Sequence, residues 1–174
     1  SISAWFNVNS INGSEMIVGN YDGSNGFLAR LEGNDMFDLW HDTDSIEGGS
    51  VTLNKWTHVV YTYDGSNGAI YKNTSQVASG SLPDSTISND LRIAETYDGR
   101  YLDGELDDVR IYDRVLTQDE ILTLYNMRSQ RQQNMATLIN TTVNGKDVTL
   151  QNDSFGSWIC VQNYEHYGGT NPNV

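Results

Sequence analysis

Trp56-Thr57-His58-Val59-Val60-Tyr61-Thr62-Tyr63-Asp64-Gly65 is the stretch that decides how this 174-residue chain folds. From Trp56 to Tyr63 it is built from β-branched and aromatic side chains, the types that pack on a pleated surface. Asp64-Gly65 then supplies the backbone freedom of a tight turn. The stretch predicts a strand that ends in a hairpin. Its turn, Tyr63-Asp64-Gly65-Ser66-Asn67-Gly68, also occurs earlier as Tyr21-Asp22-Gly23-Ser24-Asn25-Gly26. The spacing of the two copies continues into no solenoid period, so the repeat reads as turn chemistry.

Outward from that strand the same signals recur. Ser1 to Val8, Glu15 to Gly19, Phe27 to Leu31, Met36 to His41, Ala69 to Asn73, Leu91 to Ala94 and Leu106 to Tyr112 are short apolar or alternating runs between Gly, Asn and Asp turns. Trp5 and Trp56 fall in strongly alternating runs and are expected in the core, and His58 is expected to be a strand residue. Thr117 and Glu120 have the spacing of a capping box, and Leu116, Ile121, Leu124 and Tyr125 share one face of the helix that would follow. A weak continuation runs through the polar stretch Met127 to Asn134. Ala136 to Val143, Val148 to Gln151 and Trp158 to Asn163 read as strands again, and Tyr167 to Pro172 as a turn-rich end. The expected architecture is all-β: a two-sheet antiparallel jelly-roll sandwich with one short helix after the closing strand, plus a C-terminal β extension. The expected organisation is a domain over 1–127, a helical or polar linker over 128–139, and a partial second module over 140–174.

Trp56 to Gly65 resembles the central signature of laminin-G-like, concanavalin-A-type jelly rolls. Gly104-Glu105-Leu106-Asp107-Asp108-Val109-Arg110-Ile111-Tyr112-Asp113-Arg114-Val115-Leu116, followed by Thr117 to Ile121, is similar to that family's closing strand and its helix. Ser1-Ile2-Ser3-Ala4-Trp5-Phe6 matches the opening. The resemblance spans about residues 1 to 127. It implies a fold that hosts lectins, adhesion modules and glycosidases alike, acting outside the cytoplasm on an extracellular, cell or virion surface. The family normally has a strand before the one at Ser1, so an earlier strand or another segment is expected to fill that edge. Gly156 to Tyr164 resembles the opening of a fibrinogen-like domain; the alternative is that it pads the sandwich.

Composition narrows the partners. Hydrophobic residues make up 37% and the formal net charge is -13. A surface that acidic repels phosphate backbones and anionic lipid, so neither nucleic acid nor membrane insertion is expected. Neutral ligands and divalent cations stay open. A single cysteine, Cys160, excludes a disulfide within the chain. Sequons at Asn12, Asn73, Asn140 and Asn152 matter only in a secretory eukaryote.

Catalysis requires carboxylates paired across a sugar bond, about 5 to 9 Å apart. Glu105-Leu106-Asp107 lacks a third acid two positions on, and no Gly-x-Ser-x-Gly elbow is present. No enzyme activity is expected. Val109 and Ile111 are expected to point into the core, and by alternation Asp107 with them, yet Leu106 also wants the core, so alternation breaks at Asp107-Asp108 and predicts a β-bulge. The resemblance implies a structural Ca²⁺ held by Asp107 with backbone carbonyls; the alternative is that the bulge carboxylates bond turn amides or pair with Arg110 or Arg114. Sugar sites combine an aromatic platform with polar groups. The ligand-binding candidates are Trp40, His41, Asp42, Tyr97, Asp98 and Arg100, with Tyr21, Asp22 and Asn25 on a nearby loop. In the alternative, Trp40 is core and His41 faces solvent. The expected function is recognition of a glycan or of a cell-surface or virion-surface protein. A structural or adhesive unit of a larger assembly is the second reading, and a glycosidase-related domain the third.

Overall fold

The signature stretch becomes the middle of a sheet. A computed structural model describes residues 1–85, 90–135, 139–143, 146–153 and 156–160. In it Thr57–Tyr63 (β6) pairs on one side with Ile2–Val8 (β1) and on the other with Asn67–Lys72 (β7). Ser75–Ser81 (β8) and Gly104–Ile111 (β10) complete this sheet, in the order β10-β1-β6-β7-β8. The strand that starts at Ile2 is therefore paired on both sides. A second antiparallel sheet contains Glu15–Gly19 (β2), Phe27–Glu32 (β3), Met36–His41 (β4), Asp44–Ser50 (β5) and Arg92–Ile93 (β9), in the order β5-β4-β3-β2-β9.

Period-two alternation builds the core between the two sheets. Ala4, Phe6 and Val8 of β1, with Val59 and Tyr61 of β6, meet Ile17, Ala29, Leu31, Phe37 and Leu39 of the other sheet. Phe6 and Phe37 pack edge to face, centroids 5.8 Å apart. The Tyr61 hydroxyl crosses to donate to the Arg30 carbonyl at 3.0 Å, and full burial drives its pKa well up. Trp56 is half-buried and precedes β6, which begins at Thr57. The expectation that it lies inside an alternating strand is corrected accordingly: the chain turns at Leu53 and Asn54, where Asn54 takes a φ of 55°, and becomes extended only from Thr57.

Strands β5 and β8 have no apolar signature, reading Asp-Ser-Ile-Glu-Gly-Gly-Ser and Ser-Gln-Val-Ala-Ser-Gly-Ser. Their glycines show what holds them. A Cβ on Gly48 would lie 2.5 Å from the Val77 carbonyl oxygen, and one on Gly80 would lie 2.7 Å from Cγ2 of Ile46. The two sheets approach so closely at this edge that side chains are excluded.

The outer face of the first sheet is covered by the start of a helix, Gln118–Met135 (α1). Leu116, Ile121 and Leu124 bury against Val60, flanked by Tyr71 and Tyr112. Tyr125 stacks on Trp5 with centroids 5.4 Å apart. The capping box forms: Glu120 N–H donates to the Thr117 hydroxyl at 3.3 Å, and Thr117 N–H donates to the Glu120 carboxylate at 2.9 Å. The expected bulge also forms. Pairing slips between Ser3↔Arg110 and Trp5↔Asp107, and Asp108 takes a φ of 52°. That extra residue lets both Leu106 and Val109 face the core, whereas Ile111, expected to point inward as well, is 53% exposed at the end of β10.

By contact density the chain divides into two units, Ser1–Tyr125 and Asn126–Val174. The second contains a three-stranded antiparallel sheet of Ile139–Val143 (β11), Lys146–Asp153 (β12) and Gly156–Cys160 (β13), in that order. The expected strand beyond Cys160 and the Tyr167 to Pro172 turn lie outside the described residues.

Candidate functional site

Alternation in the second sheet turns Leu28, Arg30 and Glu32 of β3, and Asp38 and Trp40 of β4, away from the core. Pairing sets Leu28 opposite Trp40 and Arg30 opposite Asp38. Two turns fold over this outer face. One is the first Tyr-Asp-Gly-Ser-Asn-Gly copy. There Asp22 Oδ1 accepts from the N–H groups of Ser24 and Asn25 at 2.9 and 2.8 Å. Asp64 repeats the geometry at Ser66 and Asn67, at 2.8 and 2.7 Å, so the repeat is a turn motif used twice. The second element is the hairpin Ala94 to Leu102. It is closed by Leu102 N–H to Ala94 O at 3.0 Å and by the buried Thr96 hydroxyl, which accepts from Arg100 N–H at 3.0 Å.

Between them lies a cleft of about 410 Å³. Met16 and Leu28, both buried, form its apolar floor. Tyr21, Trp40 and Tyr97 form an aromatic wall: Tyr21 lies 5.2 Å from Trp40, and 5.3 Å from Tyr97, edge to face. A Cβ on Gly23, whose φ is 103°, would sit 3.0 Å from the Tyr97 ring; glycine there allows both the turn and the ring packing. Burial, then the Tyr97 hydroxyl, push the Tyr21 phenol up. The Arg30 guanidinium lies 5.3 Å from the Trp40 ring centroid, a cation–π distance.

The charged groups beside the aromatics are paired. Arg30 Nε donates to Asp38 Oδ2 at 2.6 Å, its Nη2 meets Glu32 at 2.5 Å, and its Nη1 donates to the Ser14 hydroxyl at 3.2 Å. Asp38 is fully buried, which raises its pKa against the opposing pull of Arg30. Arg100 Nε donates to both Asp98 oxygens at 3.1 Å. The Thr96 hydroxyl, then Arg100, hold the Asp98 carboxyl low.

The sequence candidates divide. Trp40, Tyr97 and Arg100 line this cleft, and Asp98 holds Arg100. Asp42 is a scaffold: its carboxylate accepts from Gly26 N–H at 2.6 Å and its carbonyl from Trp40 Nε1 at 3.2 Å. His41 faces the opposite way. It is buried, its Nδ1 lies 3.2 Å from the Pro83 carbonyl, and its ring lies 4.3 Å from Tyr63. It borders a separate cavity of about 380 Å³ between the sheets, near Ile2, Leu39 and Tyr112. Burial lowers its pKa. The sequence order Trp40-His41-Asp42 thus does not make a joint site, because adjacent strand residues point to opposite faces. Arg30 and Glu32 were not among the candidates. Their shared parity with Leu28 on β3 was the available signal.

Asp107 is exposed on β10 in the other sheet. Its neighbour Asp108 is committed to Arg110 at 2.9 Å. Among the described residues, no group of three or more His, Cys, Asp or Glu side chains comes together to hold a metal.

A laminin G family model, described as the concanavalin A-like lectin/glucanases superfamily, matches residues 1–122. No curated protein matches by sequence. Among solved structures, domain 4 of AbnA, a GH43 extracellular arabinanase from Geobacillus stearothermophilus in complex with arabinotriose, is 17% identical with a TM-score of 0.62 over 71% of this chain and 65% of that one. The IT-sialidase CBM40 of Ruminococcus gnavus, bound to alpha2,3 sialyllactose, is 13% identical with a TM-score of 0.58 over 71% of this chain and 80% of that one. Trypanosoma rangeli sialidase is 20% identical with a TM-score of 0.57, over 74% of this chain but 22% of its own. The chain thus spans under two thirds of two of these three, and the likeness is one of fold.

Proposed function

The chain belongs to the concanavalin A-like lectin/glucanases superfamily, and from that premise we propose that it is a non-catalytic carbohydrate-recognition module that binds a glycan in the cleft on the outer face of β3 and β4. The observation that carries this is the aromatic wall Tyr21–Trp40–Tyr97 beside paired charged groups, in a cleft large enough for a small ligand. An aromatic face receives the C–H face of a sugar ring, while carboxylate oxygens and guanidinium N–H groups serve its hydroxyls.

Recognition without chemistry fits the carboxylates at hand. Asp38 is sealed against Arg30, and Glu32 is shared between Arg30 and the Ser14 hydroxyl. Neither is placed as a loose acid or base with room for a water. Neighbours of the same fold, bound to arabinotriose and to sialyllactose, support a glycan as the ligand class. The proposal places the module outside the cytoplasm, where such ligands are displayed. Among the described residues no helix is long and apolar enough to cross a membrane.

A broad glycan array tests the reading. Reproducible binding that Trp40→Ala and Tyr97→Ala both abolish, with the fold intact, is the expected result. Silence across the array, or binding indifferent to both substitutions, overturns it.

A further inference from the structure

The charge state of the cleft is a specificity element. Resting on the carbohydrate reading above, we infer that the cleft selects uncharged glycans and discriminates against those with a carboxylate or sulfate on the bound sugar. Two guanidinium groups border the cleft, Arg30 and Arg100. All three nitrogens of Arg30 are engaged, by Asp38, Ser14 and Glu32. Arg100 is held through its Nε by both oxygens of Asp98, itself fixed by the Thr96 hydroxyl at 2.5 Å. Three carboxylates thus answer two guanidiniums, and the site is negative by one formal charge. It sits on a chain whose net charge is -13.

An acidic sugar entering this cleft must leave water, which is costly for a charge unless a cation receives it. Each guanidinium here is already paired with a carboxylate, so an added anion meets a site in which negative charge is in excess by one. A neutral pyranose meets none of this. Its hydroxyls both donate and accept, so they match a guanidinium–carboxylate pair without breaking it. The apolar floor of Met16 and Leu28 and the three rings complete a surface suited to the C–H faces of an uncharged ring.

Matched glycan pairs decide the matter. The full chain is titrated with lactose against sialyllactose, and with neutral oligosaccharides against the same chains ending in glucuronic acid or a sulfated sugar. The expected result is binding at least tenfold weaker for each acidic member. The gap narrows as salt rises from about 0.05 to about 0.5 M, since screening weakens the repulsion. Asp98→Asn, on an exposed hairpin, unclamps Arg100 and lowers the neutral-to-acidic ratio several-fold; Glu32→Gln does the same at Arg30. Equal or tighter binding of the acidic members overturns the inference while leaving the carbohydrate reading in place. So does a ratio that neither substitution moves. Binding of neither member of any pair overturns the carbohydrate reading itself, and this inference with it.

Discussion

Nε of Arg30 lies 2.6 Å from Oδ2 of Asp38, a carboxylate with no exposed side-chain surface whose other oxygen has no hydrogen-bond partner. The pair fixes the guanidinium beside Trp40, so it is both a structural and a site element. Removing one partner of a buried pair strands the other charge, at about 3–5 kcal/mol. Arg30→Met is expected to lose stability on that scale in urea melts at pH 7. Lowering the pH should restore part of it, because burial already raises the Asp38 pKa and the loss of Arg30 raises it further. A group whose folded pKa is raised holds its proton better when folded, so acid favours the fold. Arg30→Met with Asp38→Leu should recover most of the loss. A double variant no better than the single one counts against the pair as the cause.

His58 makes an opposite pH prediction. Its Nε2 lies 2.9 Å from the Ser3 hydroxyl, its Nδ1 is buried without a partner, and Trp5 packs on its ring at 5.1 Å. Burial brings its pKa from 6.5 to about 4, with a small opposing pull from Asp108. A folded pKa below the unfolded one means that the unfolded chain binds more protons in between. The stabilisation from neutral His58 is therefore complete above about pH 6.5 and is lost as the pH falls toward 4, amounting to about 3 kcal/mol at most. Urea melts from pH 7 to 4.5 on the native chain and on Ser3→Ala/His58→Phe test this. The variant should show a much flatter profile over that window; parallel profiles would clear His58 of the effect.

The helix offers a third test, with two independent parts. Thr117→Ala removes the hydroxyl that caps Glu120 N–H and should cost about 1 kcal/mol. Ile121 is fully buried against Val60, and Ile121→Ala should cost about 2–5 kcal/mol through its cavity. Thermal or urea melts read both. A negligible loss for Ile121→Ala would mean that the helix does not cover the sheet in solution.

These features differ in how visible they were in the chain. The Thr117–Glu120 box, the Asp107-Asp108 bulge and the strand from Thr57 to Tyr63 are local patterns, and folding preserves them. Strands β5 and β8 escaped because their stability comes from each other across the sandwich, through Gly48, Gly49 and Gly80, which carry no hydrophobic signal. The cleft lies between these extremes. Trp40, Tyr97 and Arg100 were legible as aromatic and polar loop-side residues, yet 57 positions separate Trp40 from Tyr97, and only the hairpin fold brings them together. Arg30 carried no signal beyond its shared parity with Leu28 on β3. His41 was misleading in the other direction, since adjacency in sequence suggested a shared site where the strand pleat forbids one.

That pleat yields the sharpest prediction for the cleft. Trp40 and His41 are neighbours in the chain but face opposite sides of β4, so their substitutions should separate function from stability. Trp40→Ala removes the ring at one end of the wall and leaves the core on the other face untouched. It should weaken glycan binding at least tenfold, by about 1.4 kcal/mol or more, with a modest change in melting temperature. His41→Ala removes a buried ring packed on Tyr63 and bonded at Pro83. It should cost about 1–3 kcal/mol of stability through the lost packing and the lost bond at Pro83, whose carbonyl keeps the Tyr63 hydroxyl at 2.9 Å, while glycan affinity stays within about twofold of native. Isothermal titration and urea melts on the two variants read both quantities. A His41→Ala protein that folds as well as native but has lost binding would move the site to the cavity between the sheets.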